Sequence, residues 1–448
     1  MKFPTRHLVC VVSLIAVNAW AWSNHTVVTY RALEAMPEVI NAAPVTVEAL
    51  ETFLKGEEKA IASLLIQQET WARANISSYA ARPDKLTFRP NPARSDTQRR
   101  LDFLTALRVA PDSRFALFVQ PDPRGPQGAE TILRESAVST LPENANASPK
   151  FVGINIGDHV PALAVVASAS DEPDYGLDIN LWEDSPSEWG KVYGLGKLPF
   201  GNPALSYSTQ APLHMGFYHQ DWLIFKAAPF VKRTLPMLRV YQYSTLASLA
   251  FQTGHPYWGW RFAGLALHYV QDLTQPYHAS LAPGNSSFQL ITANTLAMAG
   301  WPRRRDDLVV LLSNRHLALE KYQRDMMLKA ANAREDTAME RALRNTQLDR
   351  NYGAWSDLYL RDVVAREAYA QGEKTAEVII AAMPRAYISD PTFDFGVKED
   401  SIALLAAMDK QDSGRRAALD AQLTLLLGHF GAHSRNALRG ILKNSAKP

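Results

Sequence analysis

Cysteine is all but absent from this chain: Cys10 is the only one in 448 residues, and it falls in an apolar leader. Without a second thiol there is neither an internal disulfide framework nor a cysteine-based zinc site. Excess charge is missing as well. Leaving out Lys2 and Arg6, the basic residues fall from 47 to 45 and match the 45 acidic ones. A nucleic-acid-binding surface is normally basic overall, so the balance gives no hint of one, although a local patch is compatible with it. Beyond the leader, no apolar run reaches the roughly 20 residues that a helix needs to cross a bilayer. No repeat of fixed period occurs. What is present is a 47% hydrophobic content, enough for one large core or two smaller ones.

The leader reads as an export signal over residues 1–21. Lys2 and Arg6 form a basic start, Leu8 to Val17 an apolar core too short to span a bilayer, and Ala19-Trp20-Ala21 a small-x-small cleavage site. The expected location is therefore secreted or periplasmic. Cleavage makes Trp22 the new N-terminus, and a free α-amine with its carbonyl oxygen can chelate a metal. His25 follows three residues later.

The densest chemistry lies between His268 and Ser280, in His-Tyr-Val-Gln-Asp-Leu-Thr-Gln-Pro-Tyr-His-Ala-Ser. His268 and Asp272 are four apart, so on a helix they share a face. Pro276 ends or kinks that helix and lets His278 turn elsewhere. His316 and Glu320 repeat the spacing of four. A single His/Asp pair at this spacing is more often a local hydrogen bond than a ligand pair. Two such pairs together with a processed terminus favour a metal cluster. Imidazole and carboxylate are ligands that zinc accepts.

This pattern resembles the zinc-dependent phospholipase C family and its relatives, the trinuclear-zinc nucleases of fungi and plants. The resemblance rests on Trp22, His25, Asp174 in Glu-Pro-Asp-Tyr, His214 in His-Met-Gly-Phe-Tyr, His268, Asp272, His278, His316 and Glu320, in that order along the chain. It implies an all-α, multi-helix phospholipase C-like bundle with loop insertions, spanning residues 22–448 and carrying three zinc ions. By that analogy Asp174, His214, His268 and Asp272 hold one zinc, and His278, His316 and Glu320 a second. Trp22, His25 and Asp272 hold the third, with Asp272 bridging. Asp174 is also the candidate catalytic base, a role that competes with direct ligation. The implied activity is phosphodiester hydrolysis, with phospholipid at a membrane surface as substrate. Single-stranded nucleic acid is the alternative, and a zinc-binding exported protein without turnover is a third reading. Thr274 stands where the nucleases carry a further His, which favours phospholipid.

The sequence departs from the family in several places. Asp174 and His214 are widely separated. Met215 and Gly216 intervene before the aromatics, making His219 a rival of His214, with His214 preferred. Gln271 replaces a usual glycine. Asp171 and Asp178 read as loop-solvating or ligand-supporting groups, and His159, His255, His429 and His433 as surface or core histidines. The run Arg303 to Arg305 reads as a solvated loop. Helical periodicity covers Val45 to Ile76, Val231 to Gln252, Trp258 to Leu273, Leu308 to Arg344, Trp355 to Ala382 and Ser401 to Leu442, with C-terminal helices filling 346–448. Residues 83–150 read as an insertion, mainly a surface excursion with one short strand at Phe115 to Val119. The loop from Asp171 to Ser208 has the composition of an active-site rim.

Overall fold

The computed structural model describes residues 24–125, 131–141, 150–202 and 205–446. Residues 1–21, expected from the sequence to be an export leader, and Trp22 lie outside them. Helix takes up 63% of the structure and strand 2%, so the chain is all-α. The described strands form only two-residue antiparallel pairs, Val45–Thr46 with His159–Val160 and Phe118–Val119 with Val152–Gly153.

A helical hairpin lies at the centre. Pro236–Gln252 and Pro256–Asp272 are joined by a turn in which Gly254 takes a left-handed φ of 87°. Proline at the first position starts both helices without cost, because that N–H has no partner within a helix. Every residue from Tyr257 to Asp272 is buried, since this helix is covered by its hairpin partner, by Ala162–Ala169 and by the long C-terminal helix Ser413–Ser445. Gly264 permits the closest of these approaches. A Cβ there would lie 2.5 Å from the Val166 carbonyl oxygen and 2.6 Å from the Ala169 Cβ. That contact brings the loop after Ala169 against the His268 turn of the central helix.

The remaining ligand-bearing elements pack around this axis. The helix His25–Leu33 is buried throughout and lies against Ala162–Ala169 and Ser413–Ser445. Asp272 closes the central helix, and Pro276 opens the short helix Pro276–Ala279, capped by the Gln275 side chain. His316 and Glu320 sit on the helix Arg303–Ala333, which ends at Arg334 in left-handed backbone (φ 54°). That break divides the helical stretch expected over 308–344. Within 83–150 the structure departs from a surface excursion: Phe88, Phe103, Leu104, Leu107, Val109 and Phe115 are buried in the main core. The helix Asp96–Leu107 supplies half of them and packs on Leu50–Gly56. The strand there is shorter than expected, Phe118–Val119.

Candidate metal centre

Eight of the nine sequence-derived ligand candidates converge, although they come from six separate stretches of chain. They fall into three adjoining groups that can hold metal ions: His25 with His268 and Asp272, Asp174 with His214 and His268, and His278 with His316 and Glu320. Within each group the potential ligand atoms lie within 4.8 Å of one another. All eight residues are buried except His316, whose side chain is 13% exposed.

Asp272 is the hub. Its Oδ1 lies 3.3 Å from His25 Nε2, while its Oδ2 lies 2.8 Å from His214 Nδ1 and 3.3 Å from His268 Nε2. His214 Nδ1 and His268 Nε2 are 3.0 Å apart, with Asp174 Oδ1 at 4.0 and 3.8 Å from them. In the third group His316 Nε2 lies 2.6 Å from Glu320 Oε1 and 3.0 Å from His278 Nε2.

Four histidines use one ring nitrogen for a backing partner and turn the other inward. His25 Nδ1–H donates to Gln271 Oε1, and His268 Nδ1–H to the Ser170 carbonyl oxygen. His278 Nδ1–H donates to the His214 carbonyl oxygen, each bond being 2.8 Å long. His214 Nε2 lies 3.3 Å from Asp178 Oδ2. Metal-ligating histidines are oriented in this way by carboxylates and carbonyls. The donor set also passes a second test of fit. His25 Nε2, Asp174 Oδ2 and Asp272 Oδ1 are buried without a hydrogen-bond partner. Leaving such groups unsatisfied costs about 1–3 kcal/mol each, and metal coordination satisfies them.

Electrostatics support the same reading. Burial alone would lower the pKa of His25 and His214. Asp272 acts against it on His25, and Asp178 with Asp272 on His214, raising them to about 9 and about 10. His268 goes the other way, to about 4, because burial outweighs the Asp272 carboxylate and the other histidines oppose its charging. Burial pushes Asp174 up. On Asp272 the surrounding histidines overcome burial and hold the carboxyl well below the usual range. Glu320 is held at about 2, with His316 and His278 outweighing burial.

The structure separates the two rival histidines. His214 is inside the cluster, whereas His219 donates from Nε2 to the Arg361 carbonyl oxygen at 2.7 Å, away from it. Asp171 and Asp178 are both buried. Asp171 accepts from the backbone N–H of His25, and Asp178 from Arg239 and the Tyr269 hydroxyl. Sequence reasoning missed three amides: Gln271 behind His25, Gln210 donating to Asp174 Oδ1 at 3.1 Å, and Gln275 donating to Glu320 Oε1 at 3.1 Å. The glycine-to-Gln271 departure is the one signal that pointed to any of them. Its amide also donates to Thr29 and Ser434, tying three elements together.

A cleft of 820 Å³ opens onto the cluster and is lined by His214, His278, His316 and Glu320. Its walls are mainly apolar, including Phe200, Leu205, Phe217, Ile224, Phe230 and Leu290, and Arg305 is its only Lys or Arg among the described residues. Gln210 lines it, but Asp174 does not. The chain matches no protein-family model, no curated protein and no solved structure.

Proposed function

We propose that the chain is an exported zinc-dependent phosphodiesterase, a phospholipase C that splits phospholipid into diacylglycerol and a phosphorylated head group. The observation that carries this reading is the junction of three ligand groups with an apolar cleft that holds a single Lys or Arg side chain among the described residues. A nuclease groove tracks a polyanion with many positive charges and stacking platforms, whereas a glycerol backbone with acyl chains needs apolar walls. The His/Asp/Glu donor set, without thiolate, suits zinc.

Zinc held there supplies positive charge against the phosphate oxygens and acidity to water. The chain's own residues do the rest. Ser170, the His214 carbonyl, Gln271 and Asp178 fix the ring orientations. Asp174 would serve as a ligand, with its Oδ1 held in place by Gln210. Its Oδ2, which has no donor, is the oxygen open to the metal or, in the competing role, to the proton of the attacking water. The cleft walls exclude water from around the scissile bond and seat the lipid. The zinc-loaded protein, given phosphatidylcholine vesicles and single-stranded DNA in parallel with chelator controls, should release phosphocholine and diacylglycerol only from the vesicles. Mononucleotides from the DNA would place it with the nucleases. Chelator-insensitive silence on both substrates would leave the non-catalytic zinc protein.

A further inference from the structure

The mouth of the apolar cleft is built by the helices Trp222–Ala227, Ser287–Met298 and the start of Arg303–Ala333, which pack in that order. All four exposed Trp and Phe side chains among the described residues lie on these elements or the turns beside them. Trp222 is 66% exposed, Phe230 42%, Phe288 78% and Trp301 69%. Met298, 83% exposed, lies between the last two along the chain. Leu223, next to Trp222, is 40% exposed, and the remaining exposed large hydrophobics are single aliphatic residues elsewhere. Large apolar side chains concentrated at the rim of one cleft mark a contact surface, whereas single ones need no explanation.

The charge beside them is basic. Arg303, Arg304 and Arg305, expected as a solvated loop, instead form the exposed first turn of the helix Arg303–Ala333, one proline after Trp301. Lys226 lies over the Trp222 ring at 5.8 Å, and Lys232 over the Phe225 ring at 4.9 Å. Asp306 and Asp307 engage Arg305 and Arg303, but Arg304, Lys226 and Lys232 form no ion pair among the described residues. Tryptophan beside Lys and Arg is the composition of a protein edge at a membrane–water interface. Basic residues there attract anionic lipid head groups.

We infer that this rim is the surface by which the protein sits on an anionic phospholipid bilayer, with Trp222, Phe288 and Trp301 entering the interface and Arg303 and Arg304 meeting head groups. The inference rests on the phospholipid reading of the cleft, whose mouth would then face the lipid. None of these five residues lines the metal-bearing cleft.

The test is flotation of the mature chain beginning at Trp22, stripped of metal by chelator so that nothing turns over, with vesicles of equal parts phosphatidylcholine and phosphatidylglycerol. The wild type should float, less so in high salt. Trp222→Ala/Phe288→Ala/Trp301→Ala should lose more than about tenfold in partitioning. Arg303→Gln/Arg304→Gln should lose ~25-fold, about fivefold for each basic residue at an anionic surface. Zinc-loaded variants should hydrolyse a monomeric short-chain phosphatidylcholine like the wild type, which also shows that they fold. Wild type that stays with the soluble fraction, or variants that float equally well, would overturn the inference. So would a concentration-dependent dimer that the aromatic substitutions dissolve, since the rim would then cover a second copy. Because flotation needs no turnover, a chain that floats as described but hydrolyses no phospholipid sinks the activity reading and leaves the surface standing.

Discussion

Replacing Asp272 with Asn removes the one carboxylate whose two oxygens face different ligand groups, Oδ1 toward His25 and Oδ2 toward His214 and His268. Asn keeps the shape but loses the charge. At an effective dielectric constant near 20, two unit charges 4 Å apart attract by about 4 kcal/mol, and a divalent ion feels more. A tenfold change in affinity is about 1.4 kcal/mol, so each of the two groups should weaken by more than about 100-fold. Asp174→Asn and Glu320→Gln each touch one group and serve as controls. The assay is metal content by mass spectrometry after dialysis against a weak chelator, with circular dichroism to confirm the helical fold. Asp272→Asn should lose metal from two groups, and each control from one. If Asp272→Asn retains as much metal as either control, the reasoning about a shared carboxylate is wrong.

Other expectations follow from the same geometry. His25 and His214, ordinarily near 6.5, are raised to about 9 and about 10, so both hold protons at neutral pH that a metal must displace. Zinc titrations in buffers of different ionisation enthalpy should show proton release, with affinity still climbing above pH 8. A plateau at pH 7 would refute these shifts. The metal-free chain has the opposite trend: the contribution of these two groups to stability is complete below 6.5 and is lost as pH rises through about 9 and 10. Asp178→Asn leaves Arg239 buried with its charge uncompensated, and should cost about 3 kcal/mol in denaturant unfolding of the metal-free chain; no change would remove Asp178 from its supporting role. An extra residue placed before Trp22 displaces the proposed chelating amine and should lower metal content and activity together, whereas full activity in that variant would count against a terminal chelate.

The helical fold and part of the ligand cluster were legible in local periodicity, whereas Asp174 and His214 entered only through the resemblance to the phospholipase C family. His268/Asp272 and His316/Glu320 declare themselves by their spacing on helices, and Pro276 marks the break that frees His278. The supporting groups carry no such mark. Gln210, Gln271 and Gln275 are amides whose roles exist only once distant elements meet, and Asp178 with Arg239 is a buried pair 61 residues apart. Residues 83–150 misled because their Pro-, Arg- and Ser-rich composition suggests a surface, while Phe88, Phe103 and Phe115 anchor them in the core. His219 and His214 were separable only by what each ring nitrogen touches. The basic run Arg303–Arg305 gained meaning only beside Trp301, in the turn before it, and Trp222, on the helix Trp222–Ala227, both exposed.

The central claim is a metal cluster divided among three adjoining ligand groups. Anomalous diffraction at the zinc edge, on crystals of the mature chain grown with zinc, tests it most directly. Three peaks are predicted: one between His25 and Asp272, one among Asp174, His214 and His268, and one among His278, His316 and Glu320. A single peak, or peaks outside these groups, would contradict it.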